Sequence, residues 1–330
     1  MAHGDVRIER LESTVLRGNP MGDPTSRNLA IYLPPGYDPA RRYPVLYGLV
    51  GYTGTGRMLL NIDPLSEDLQ ARLDRLILTK LCPPVIVALP DCFTRVGGSQ
   101  YINSLALGRY EDYLLQEVLP FVETKHRCGR RGIWGKSSGG YGSIIQGMRH
   151  PEVFSALACH SGDMGFEYCY MGDFPKAMDS FQKAGGTAAW LKEFWAQPNR
   201  RRSEDFAALN TLGMAAHYSP EPSEELGIAL PFDIQTGAFR DDVWQRWLRH
   251  DPVRIVAQHA DALRQLAAVF IDCGSKDQFN LHWGARALHA ALEVLRVPHI
   301  YEEFDDTHSN ISYRYDRSIP LLANALDDSH

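Results

Sequence analysis

Residues 27–32 alternate apolar and polar side chains, the period of two that a half-buried β-strand requires. Pro34-Pro35-Gly36-Tyr37 closes that stretch, because proline offers no amide hydrogen to a strand ladder. Residues 44–50 and 85–89 run continuously apolar, which suits short strands buried on both faces. Further strands are predicted at 133–134, 154–159, 268–272 and 299–304. Between them the apolar spacing changes to three and four residues. Helices are predicted over 65–78, over 110–124 with an interruption near Pro120, and over 141–148, 283–295 and 319–326.

Strands alternating with helices predict an α/β fold, with a mostly parallel central sheet covered by helices on both faces. Residues 163–262 break the rhythm. They carry Trp190, Trp195, Trp244 and Trp247 and the loop Ser219-Pro220-Glu221-Pro222. This segment is expected to be a mostly helical insertion, a cap over the C-terminal strand ends of a single domain spanning 1–330. Large aromatic side chains in such a segment more often fill its own core than wall a substrate pocket. The chain has no internal repeat and no low-complexity tract.

Composition narrows the function. The 330 residues are 44% apolar and 22% charged, as in ordinary globular proteins. A net charge of −6 argues against a nucleic-acid partner, which would call for a basic face. Arg200-Arg201-Arg202 is the one notable basic cluster, and reads as a solvated helix end. No apolar run approaches the roughly 18 residues of a membrane span, so no membrane partner is expected. Met1-Ala2-His3-Gly4-Asp5 lacks the basic and apolar stretches of a signal peptide. Cys82, Cys92, Cys128, Cys159, Cys169 and Cys273 form no CxxC pair and are expected to be reduced thiols in a cytoplasmic protein. Cys159-His160 and His126-Arg127-Cys128 are too isolated to suggest a metal site. No metal or cofactor is expected, and a homo-oligomer is compatible with the sequence.

The chemistry concentrates after the strand at 133–134. Gly135-Lys136-Ser137-Ser138-Gly139 has the Gly-x-Ser-x-Gly spelling of a nucleophile elbow, in which a serine stands on a very tight strand-to-helix turn. Gly135-Lys136-Ser137 could also end a phosphate-binding loop. That loop needs glycine at position 130, which is Arg130, and would place Ile133-Trp134 inside it. A serine hydroxyl becomes a competent nucleophile when a base takes its proton. In elbow hydrolases an acid and then a histidine follow the serine, each on a loop after a strand. Gly274-Ser275-Lys276-Asp277 and Asp305-Asp306-Thr307-His308 occupy those places. Ser137, Asp277 and His308 are therefore the candidate triad. Asp163 stays open as the acid, Asp272 is committed to a strand face, and Asp305 and Asp306 read as solvated loop charges. The backbone N–H groups of Tyr52, in the loop Gly51-Tyr52-Thr53-Gly54, and of Ser138 are the candidate oxyanion donors.

With those residues stand Tyr32-Leu33-Pro34-Pro35-Gly36-Tyr37, Tyr43-Pro44-Val45-Leu46-Tyr47, Ser99-Gln100-Tyr101-Ile102-Asn103-Ser104, Tyr110-Glu111-Asp112-Tyr113, Glu117-Val118-Leu119-Pro120 and Glu302-Glu303-Phe304. Over nearly its whole length the chain resembles the esterase D-like branch of the α/β-hydrolases, which includes feruloyl esterases, S-formylglutathione hydrolases and mycolyltransferases. The resemblance implies a serine carboxylesterase working through an acyl-enzyme on a small-molecule ester, without cofactor. S-formylglutathione hydrolases usually read Gly-His-Ser-Met-Gly at the elbow, so Gly-Lys-Ser-Ser-Gly argues against that substrate. Many relatives carry His-Gly where this chain has Val50-Gly51. Two alternatives stay open: transfer of the acyl group to an alcohol or sugar, and a catalytically silent binding protein of the same fold. Nothing in the sequence favours amide over ester cleavage.

Overall fold

The computed structural model of the protein describes residues 3–327. Eight strands form one sheet: β1 (Asp5–Glu12), β2 (Ser26–Leu33), β3 (Tyr43–Leu49), β4 (Ile86–Pro90), β5 (Cys128–Lys136), β6 (Ala156–His160), β7 (Ala268–Gly274) and β8 (Ile300–Phe304). Their spatial order is β1-β2-β4-β3-β5-β6-β7-β8. The β1–β2 and β2–β4 pairs are antiparallel, and every neighbouring pair from β4 to β8 is parallel. Parallel neighbours need crossover connections. The C-terminal ends of β3 to β8 therefore meet along one edge, where open α/β sheets place their ligands.

Alternation sends the two sets of side chains to two cores. Leu29, Ile31, Tyr47, Ile133 and Leu157 pack on one face, with Tyr141 and Ile145 of the helix Ser138–Arg149 and Leu288 of the helix Leu281–Val294. Ala30, Tyr32, Leu46, Trp134 and Phe270 pack on the other, against the helices Leu69–Leu78 and Tyr315–Leu326. β3, β4 and β6 are buried along their whole lengths.

Three local differences from the sequence reading have physical causes. β1 was not expected, because it buries only Leu11 and carries charges along most of its length. Its eight-residue ladder to β2 holds it, and its charges suit an exposed sheet edge. The helix expected from residue 65 starts at Leu69, since the Asp68 carboxylate accepts from the Ala71 N–H and caps it. The helix around Pro120 is continuous but shifts register. Pro120 has no N–H to give, and the Leu119 N–H reaches five residues back to the Leu114 carbonyl.

Between β6 and β7 the chain is mainly helical, including Phe174–Ala184, Thr187–Ala196, Phe206–Tyr218 and Asp241–Leu248. Trp190, Trp244 and Trp247 are buried, and the Trp247 indole donates to Ser219 Oγ at 2.8 Å. Trp195 is half-buried, and its Nε1 donates to the Arg95 carbonyl at 2.9 Å. The Tyr52 hydroxyl donates to the Leu209 carbonyl at 2.7 Å. These last two bonds fasten the helices to the loops after β4 and β3. No helix among the described residues is long and apolar enough to cross a membrane.

Candidate active site

β5 ends at Lys136 and the next helix begins at Ser138, so Ser137 alone makes the turn. Its φ of 59° and ψ of −127° lie where residues with a side chain rarely sit. Strain of this kind survives only where the surroundings over-determine it. Here the close approach of three backbone segments does so. A methyl group at Gly135 would stand 2.3 Å from the Gly139 carbonyl oxygen, and one at Gly139 would stand 2.1 Å from the Leu49 carbonyl oxygen. The Ser137 N–H also donates to the His160 carbonyl at 2.9 Å. Gly139→Ala is expected to cost about 3 kcal/mol or more, because backbone cannot yield as a side chain can. Ester turnover should fall with it. Gly172→Ala, where a methyl group meets nothing within 4 Å, should shift stability by less than about 0.5 kcal/mol in the same denaturant titration.

The loop after β3 lies directly on the serine. A methyl group at Gly51 would be 3.2 Å from Ser137 Cβ. The Tyr101 hydroxyl holds the loop by donating to the Val50 carbonyl at 2.7 Å, and Gln146 Nε2, on the helix after the elbow, donates to the Tyr101 carbonyl at 2.8 Å. Tyr52, Ser137, Ser138, Asp163, Phe206 and Phe279 line one small cavity of about 40 Å³. Among the described residues the N–H groups of Tyr52 and Ser138 donate to no acceptor.

Asp277 and His308 come together on the loops after β7 and β8. His308 Nδ1 lies 2.7 Å from Asp277 Oδ2, and the Phe279 N–H donates to Asp277 Oδ1 at 2.8 Å. The His308 N–H donates to Gln278 Oε1 at 2.9 Å. With Nδ1–H given to the carboxylate, Nε2 of the neutral ring is the free acceptor. The Phe279 ring stands edge-on to the imidazole with centroids 4.9 Å apart, so it joins the dyad to the cavity that Ser137 lines. No hydrogen bond runs between Ser137 Oγ and His308 Nε2.

Asp163 is placed elsewhere. Its buried Oδ2 accepts from Ser138 Oγ at 2.9 Å, from the Tyr170 hydroxyl at 3.0 Å and from Gln100 Nε2 at 3.1 Å. Burial raises its carboxyl above the ordinary range, and these bonds oppose the rise. Asp163 therefore fixes the residue after the elbow serine, a role no sequence pattern announced. Lys136 has its ammonium pulled down by burial, with the Asp277 carboxylate opposing.

A second acid–imidazole pair lies beneath the sheet edge. His160 Nδ1 is 2.7 Å from Asp272 Oδ1, His160 Nε2 is 2.8 Å from Ser318 Oγ, and Arg314 Nε donates to Asp272 Oδ2 at 2.8 Å. Ser318, His160 and Asp272 are fully buried, so no substrate reaches them. Among the described residues, three groups able to ligate a metal approach one another at His289, Glu293 and His299. His289 Nδ1 lies 2.8 Å from His299 Nε2, so the two imidazoles already satisfy each other.

A mostly parallel sheet of this order, with a serine elbow at its C-terminal edge, defines an α/β-hydrolase, and the chain is a serine ester hydrolase of that fold. It belongs to the family described as "Putative esterase", whose sequence model matches residues 22–316. Among solved structures it is similar to a ferulic acid esterase, with a TM-score of 0.64 and 20% identity over 99% of this chain and 100% of the other. It is similar also to an S-formylglutathione hydrolase from Agrobacterium tumefaciens, with a TM-score of 0.61 and 16% identity over 99% and 97% of the two chains. A fluorophosphonate-binding serine hydrolase from Staphylococcus aureus gives a TM-score of 0.59 and 15% identity over 98% and 99%. No curated protein sequence matches the chain.

Proposed function

We propose that the protein is a carboxylesterase whose nucleophile is Ser137, whose base is His308 and whose orienting acid is Asp277. The observation that carries the reading is the strained Ser137 turn, set against two unbonded N–H groups in one cavity. His308 Nε2 takes the hydroxyl proton as Ser137 Oγ forms its bond to the ester carbonyl carbon. The oxygen that gains charge sits on the N–H groups of Tyr52 and Ser138. The bond to the alcohol then breaks, and the alcohol leaves with the proton from His308. Water, deprotonated by the same imidazole, attacks the acyl-enzyme and releases the acid. Hydrogen bonds at such sites are often long without substrate and tighten when it binds, which fits a serine and an imidazole not yet bonded to each other.

The residues 163–262 form the cap that closes over this site, and the six unpaired thiols support a reducing, cytoplasmic location. An acyl-enzyme predicts a burst. Mixing the protein with 4-nitrophenyl acetate should release close to one equivalent of nitrophenol before the steady state. Turnover with strictly linear release from the first turnover, under conditions where acylation is fast, would contradict this route.

A further inference from the structure

A second, larger cavity of about 630 Å³ adjoins the catalytic one. The two share Phe206 as a wall, and Thr53 and Leu209 line the larger where their neighbours Tyr52 and Asn210 line the smaller. Four arginines line this groove, Arg95, Arg200, Arg201 and Arg202, with one carboxylate residue, Asp205. Arg202 is neutralised by Asp205, at 2.7 Å, and by Glu204, at 3.1 Å. Arg200 donates only to the Trp195 carbonyl and lies over the Trp195 ring, 5.4 Å from its centroid. The side chains of Arg95 and Arg201 have no ion pair or hydrogen bond among the described residues. Arg200 and Arg201 thus edge one apolar-floored groove without a carboxylate partner, and Arg95 joins them with only the charge of Asp23 nearby, in a chain of net charge −6. Arg200 and Arg201 are exposed, as the sequence reading expects, and the triplet also lines this cavity.

We infer that this groove is a substrate subsite for an anionic group, a carboxylate or phosphate on the part of the ester that extends away from the bond being cleaved. The inference rests on the esterase reading of Ser137 and adds the charge of the substrate to it. Guanidinium forks match both anions in geometry. A cleft of one sign of charge with apolar walls also raises the local concentration of the opposite ion. The small cavity leaves room beside Ser137 only for a short group, so the anion belongs to the longer part of the substrate.

The test compares charged and neutral esters of equal size: 4-acetoxybenzoate and 4-acetoxyphenyl phosphate against 4-acetoxybenzamide, and the 4-nitrophenyl monoester of adipic acid against its methyl ester. In at least one set the anionic ester should show about tenfold higher kcat/KM, since steering by a charged cleft is of that order. The advantage should shrink as salt rises from about 0.02 M to about 0.5 M. It should reverse in Arg95→Glu/Arg201→Glu, and a preference limited to carboxylate or to phosphate identifies the anion. Equal turnover of charged and neutral esters by the unaltered protein, or a preference untouched by the double substitution, overturns the subsite while leaving the esterase reading intact. No turnover of any ester overturns both.

Discussion

Ser137→Ala is expected to abolish ester hydrolysis, with kcat falling about a million-fold, the order of loss when a triad nucleophile is removed from a serine hydrolase. The fold should not notice. The Ser137 side chain makes no hydrogen bond, and alanine inherits the same strained turn, so stability should change by less than about 1 kcal/mol. The turn is held by Gly135, Gly139 and the His160 carbonyl, none of which the substitution touches. Turnover of 4-nitrophenyl acetate together with a thermal melt reads both quantities. Retained turnover would move the nucleophile elsewhere, and a collapsed melt would give the hydroxyl a structural role.

Asp277→Asn should have the next largest effect, a fall in kcat of about ten-thousand-fold, the order seen when an orienting aspartate becomes an amide. The mechanism is a tautomer switch. The Phe279 N–H already claims one carboxylate oxygen at 2.8 Å. Asparagine would satisfy that donor with its carbonyl oxygen and turn its NH₂ toward His308 Nδ1. The imidazole would then carry its proton on Nε2 and could not accept one from Ser137. Asp163→Asn is the discriminating comparison. Its carboxylate meets Ser138, Tyr170 and Gln100 and no histidine nitrogen. Its loss should act through the position of Ser138 and cost only about tenfold to a hundredfold, an effect smaller than that of removing a single oxyanion donor outright. A larger loss from Asp163→Asn than from Asp277→Asn would reassign the acid.

The inner strands of the central sheet were legible because they are buried on both faces. Continuous apolar runs such as 44–50 and 85–89 leave no other element of that length. β1 was illegible for the converse reason, since an edge strand held by its ladder has no need of an apolar face. The elbow was legible because steric crowding dictates glycine at 135 and 139, and sterics are written in residue type. The pairing of acids with histidines was legible only in part: strand order pointed Asp277 to His308 but named no partner for Asp272. Asp163 and Asp277 follow strands and Asp272 lies within one, and only the folded geometry shows that Asp272 meets the buried His160. The arginine groove was hidden because Arg95 and Arg201 come from distant segments, brought together when Trp195 docks on the Arg95 carbonyl.

The most direct test of the account is the site of a covalent adduct. A fluorophosphonate probe reacts with a serine only when a base has activated it. Peptide mass spectrometry after labelling should place a single adduct on Ser137, and His308→Ala should suppress it. An unlabelled Ser137, an adduct on another serine, or labelling that persists without His308 would contradict it.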